Sequence, residues 1–177
     1  MLKYPNLKIL IYTIILIFIV SCTKKEKAFN NVNSHEKEVI LESNINFKSV
    51  AYLNDTNKKI IEIASIAFNN SKELNESKVI LKIKKDHQKI ENDLRRITNE
   101  NLIIIPEPIY DLNLNQNFLK GINSSNYLIS LLEKEIKNQI LILDTIEKNS
   151  KDKEFKNFAD KSKDVLINNN ELLEELL

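Results

Sequence analysis

The chain has 177 residues with 26 basic and 25 acidic side chains, a formal charge of +1 that gives no electrostatic footprint for nucleic acid. One glycine, three prolines and no tryptophan argue against a turn-rich β protein. A single cysteine excludes an intramolecular disulfide.

The first eight residues, MLKYPNLK, carry two lysines and no acid. Ile9 to Val20 then form a twelve-residue apolar run interrupted only by Thr13. A helix needs about 20 apolar residues to cross a bilayer core, and the charged TKKEK that follows Cys22 cannot extend this run. A basic start, a short apolar segment and a small residue before the break mark an export signal. The exit, Ile19-Val20-Ser21-Cys22, resembles the lipobox of bacterial lipoproteins. That resemblance implies cleavage before Cys22, which becomes the lipidated first residue. Thr23 lacks an acidic retention signal, which leans the expected location toward an outer membrane within the cell envelope.

Residues 1–21 are thus expected to be a lipoprotein signal peptide, residues 22–45 a tether and residues 46–177 a helical domain. The mature chain would carry 24 basic and 25 acidic groups. At 156 residues it is long enough to bury about two-thirds of its unfolded surface. Residues 23–45 are mostly polar and show no sustained apolar period, as befits a flexible spacer. His35 lies among them with no neighbouring ligand type at metal spacing, so it reads as solvated.

Four helices are predicted. The first spans Thr56 to Leu74, with Ile60, Ile63, Ala64, Ala67 and Leu74 on one side and Asn54, Asp55 or Thr56 as N-cap. The second spans Glu76 to Thr98, where Val79, Ile83, His87, Ile90, Leu94 and Ile97 form one stripe. The third spans Ser125 to Lys148, with Ile129, Leu132, Ile136, Ile140 and Leu143. The fourth spans Asp152 to Leu176, with Phe155, Phe158, Ala159, Ser162, Val165, Leu166, Asn169, Leu172, Leu173 and Leu176 on its stripe. Short polar turns around Asn75 and Ser150 favour antiparallel pairs, and four amphipathic helices of this length bury their stripes jointly in an all-α, antiparallel four-helix bundle. A long link between helices 2 and 3 contains Pro106-Glu107-Pro108, which cannot continue a helix. Its apolar pieces, LIII and IYDLNL, are expected to cover the core from outside, in a crossover of the ferritin-like kind.

The stretches EIASIAF, KVILKIKKDHQKI, FLKGINSSNYLISLLEKEI and DKEFKNFADKSKDVL occur in an order that resembles the bacterial domain-of-unknown-function family 4142. The resemblance runs from about Phe47 to Leu176, and Asp86-His87 is its most specific element. It implies an exported, often lipidated, ferritin-like bundle with inward histidines. The family's second histidine falls here on Glu135, and its third on Asn169 or Asn170. Its early glutamate corresponds to Glu62.

His87, Glu135, Asn169 and Glu62 are therefore the candidate metal or ligand residues. Against a di-iron carboxylate centre, the position three before His87 is Lys84, so the Glu-x-x-His pair is absent. Helical spacing points Glu62 toward solvent, sets Glu135 on the flank of its stripe, and puts His87 and Asn169 on theirs. The reading preferred is a buried polar contact in which His87 bonds to Asn169 or Glu135, because buried polar groups need partners. No phosphate loop or catalytic triad is present. The expected function is a membrane-anchored helical binding or interaction module without catalysis and without a cofactor. Its partners are the membrane through the lipid anchor and a protein or small molecule of unknown identity. The alternative is a ferritin-like protein that binds or stores a divalent metal at a reduced site.

Overall fold

A computed structural model describes residues 47–177; the expected signal peptide, the tether, His35 and Cys22 lie outside the described residues. Helix accounts for 79% of what is described, with no strand among those residues. The helices are α1 (Phe47–Asn70), α2 (Leu74–Glu100), the single-turn α3 (Gln116–Leu119), α4 (Ser124–Asn149) and α5 (Lys153–Glu174). Among the described residues no helix is long and apolar enough to cross a membrane.

The helix α1 begins nine residues before the predicted start, and Asn54, Asp55 and Thr56 lie within it. None of them is an N-cap. The polar run NDTNKK reads locally as a helix start, yet Val50, Leu53, Asn57, Ile60, Ala64 and Ala67 extend one buried stripe through it at steps of three and four. Thr56 is buried, and its hydroxyl donates to the Tyr52 carbonyl at 2.8 Å. The three-residue turn Ser71–Glu73 precedes Asn75, which lies inside α2 and is not the turn expected there. Asp152, the expected first residue of the fourth helix, is instead the N-cap of α5, accepting from the Phe155 N–H at 2.9 Å.

The helix α1 packs against α2 and α4, α4 packs against α5, and α2 makes a smaller contact with α5. Lys59 meets Glu135, while Tyr52 shares a surface cleft with Ile142 and Thr145, so α1 and α4 run antiparallel. Lys82 reaches Asn169 and Arg96 reaches Glu154, which fixes α2 and α5 as antiparallel too. A continuous apolar core lies between them, with Leu53, Ile60, Ile83, Leu94, Leu132, Ile136, Phe155 and Leu166 all fully buried.

The helix α2 ends in a Schellman motif. The Ile103 N–H donates to the Thr98 carbonyl at 2.8 Å and the Leu102 N–H to Asn99 at 3.2 Å. This places Leu102 in the left-handed region, with φ of 55°. The link then runs without helix or strand from Ile103 to Asn115, with Asn113 in the left-handed region at φ of 47°. The expected cover is made in part: Ile103, Ile105, Leu112 and Leu114 pack on the core, whereas Leu102, Ile104 and Ile109 of the same LIII and IYDLNL pieces stay exposed. The Tyr110 hydroxyl donates to Glu62 at 2.9 Å, and the Asn115 N–H donates to the Tyr127 hydroxyl at 3.1 Å, pinning the link to α1 and α4. Asn115 also caps α3, a turn of helix not predicted from the sequence, by accepting from Asn117 at 3.0 Å.

Candidate functional site: a buried polar seam

The stripe of α2 carries His87 between Ile83 and Ile90, and the fold buries its ring completely. Burial lowers the pKa from 6.5 to about 3, outweighing the opposing pull of the Asp86 carboxylate. The ring is therefore neutral at neutral pH. Its Nδ1 lies 2.8 Å from Asn57 Oδ1 on α1. An amide oxygen only accepts, so the proton sits on Nδ1 and Nε2 carries a lone pair. The Asn57 Nδ2 donates to the His87 carbonyl at 2.9 Å, which fixes the orientation of the amide. From α4, Gln139 Nε2 donates to the same Asn57 oxygen at 3.1 Å.

Three helices thus meet at one asparagine. Asn57 and Gln139 were not singled out by the sequence reading, although the signal was present. Asn57 lies between Leu53 and Ile60 on its stripe, and Gln139 between Ile136 and Leu143, the same position type that marked His87.

The four candidate residues are not brought together. His87 bonds to neither Asn169 nor Glu135, contrary to expectation: its Nδ1 is taken by Asn57, while Lys82 holds Asn169 and Lys59 holds Glu135. Glu135 is held by Lys59 at 2.8 Å on the margin of the core. Asn169 is fully buried and its oxygen accepts from Lys82 Nζ at 2.6 Å. Lys82 also holds Asp86 at 2.8 Å. Glu62 is exposed, as its helical phase predicts, and receives the Tyr110 hydroxyl.

Among the described residues four buried side-chain atoms have no protein partner: His87 Nε2, Gln139 Oε1, Asn169 Nδ2 and Asn170 Oδ1. The His87 ring has the arrangement of a metal ligand, one nitrogen pinned by a carbonyl and the other free. No carboxylate joins it, since Glu135 is neutralised by Lys59 and Glu62 lies at the surface. Among the described residues no group of three or more His, Cys, Asp or Glu side chains is arranged to hold a metal ion.

A second feature is a groove of about 380 Å³ between α1, α2 and the link, floored by Leu94 and Thr98 and walled by Ile103 to Pro108. Its cations Lys58 and Arg95 converge on one oxygen of Glu91, at 2.6 and 3.0 Å, and with Glu107 the formal charges lining the groove cancel. No family model, curated protein or solved structure matches the chain.

Proposed function

We propose that the protein is a bacterial lipoprotein, anchored through Cys22 to a membrane of the cell envelope, the outer membrane favoured, and presenting a non-catalytic helical binding or interaction domain. In this reading residues 1–21 are removed and residues 22–45 tether the domain. Four long helices form an antiparallel bundle with the ferritin-like crossover that the link between α2 and α4 suggests, in keeping with the resemblance to family 4142. The observation that carries the anchor is the apolar run closing on Ile19-Val20-Ser21-Cys22. The absence of catalysis rests on His87, the one histidine of the helical domain, being sealed in the interior beside an amide rather than a nucleophile. Cell fractionation tests the anchor. Wild-type protein should stay with membranes through a high-salt wash and be released by detergent. Cys22→Ser should lose the lipid and abolish maturation. Wild-type protein washed off by salt alone would contradict the reading.

The second reading, a divalent-metal protein, has one observation in its favour, the free Nε2 of His87. Thermal melts of wild type and His87→Leu, with zinc, iron or manganese and with chelator, decide it. A rise of several °C confined to metal-loaded wild type would establish a site.

A further inference from the structure

The turn between α1 and α2 places the start of α1 and the end of α2 at one end of the helical domain. Both ends expose large apolar side chains, Leu74, Phe118 and Ile122 at the far end and a second group at this one. Leu102 is 92% exposed, Ile104 91% and Phe47 51%, with Tyr52 open to solvent one turn and a half beyond Phe47. Leu102 is the informative one. It occupies the left-handed position that closes α2, where glycine is the usual residue, and its side chain gains no packing there. Backbone geometry therefore disfavours this leucine and the core does not use it. Exposed Lys48 adjoins Phe47, while Arg95 beside Ile104 is paired with Glu91, and exposed Glu100 and Glu107 lie at the same end, so charge does not select the occupant. Exposed aromatic and aliphatic side chains at the end of a helical domain bury readily at the headgroup–acyl boundary of a bilayer.

Chain connectivity favours one occupant. Twenty-four residues separate Cys22 from Phe47, which limits the distance from anchor to domain to about 85 Å. The far ends of α1 and α2 lie a helix length, about 36 Å, beyond that point. An anchor on Cys22 thus presents the bilayer at high effective concentration to the Phe47 end first, so weak apolar contacts suffice.

We propose that the end of the helical domain formed by Phe47, Leu102 and Ile104 docks on the bilayer surface to which the protein is anchored, turning the opposite end outward. The proposal rests on the lipoprotein reading. The test uses the full chain purified from membranes and reconstituted in phosphatidylglycerol–phosphatidylethanolamine vesicles with brominated or plain acyl chains. Ile104→Cys and Ile122→Cys are each labelled with bimane; Ile122 is fully exposed and lies just before α4, at the opposite end. Wild type is the labelling blank, because an acylated Cys22 has no free thiol. Brominated lipid should quench bimane at position 104 about twofold or more relative to position 122. Equal quenching at the two positions with an unlabelled wild type would overturn the docking and leave the anchor standing. Labelling of wild type at Cys22 would overturn both.

Discussion

Asn57 accepts two hydrogen bonds and donates a third, so it holds α1, α2 and α4 in one arrangement. Replacing it with leucine strands the His87 Nδ1–H and the Gln139 amide, each at a cost of about 1–3 kcal/mol. His87→Leu leaves only acceptor capacity on Asn57 unused and should cost less. The double change should recover part of the Asn57→Leu loss. Urea denaturation of the three variants checks the order, and a His87→Leu more damaging than Asn57→Leu would contradict it. The depressed pKa of His87 has a definite sign. The unfolded ring takes a proton below about pH 6.5 while the folded ring resists it down to about 3. Stability from this site is complete above pH 6.5 and falls as pH drops from there toward 3, by on the order of 1 kcal/mol per pH unit at the steepest. Urea midpoints of wild type should therefore fall more than those of His87→Leu between pH 7 and 5. Parallel curves would show that the ring is not sealed from solvent.

Helix ends and turns carry the next set of expectations. Asp152→Ala removes the one side-chain bond at the start of α5 and should lower stability by about 1 kcal/mol, read as a lower melting temperature. Leu102→Gly should raise it by about 1 kcal/mol, because glycine takes the left-handed conformation without steric penalty and little packing is lost. At this scale the sequence was legible wherever apolar spacing was regular. The stripes of α2, α4 and α5 and the start of α5 near Asp152 could be read directly, apart from Val165, which the fold leaves exposed. The start of α1 could not, because Asn54, Asp55 and Thr56 are cap-forming residues by local chemistry and only burial of Val50 and Leu53 overrides them. The polar seam was half legible. His87 stood out as a rare residue type, whereas Asn57 and Gln139 were hidden among many amides. Which of these pair depends on how three helices are registered, which spacing within one helix does not contain.

For the whole molecule, most helical stability comes from packing the stripes together rather than from propensity. A polypeptide of residues 46–177 should accordingly give a circular dichroism spectrum dominated by helix and a cooperative melt; a coil spectrum would show that the helices need more than each other. The place of action depends instead on the opening residues, where a short apolar run closes on a lone cysteine. Mass spectrometry of the protein extracted from native membranes tests that claim most directly. The account predicts no peptide from residues 1–21 and an N-terminal Cys22 carrying acyl chains. Intact sequence from Met1 through an unmodified Cys22 as the main species would contradict it.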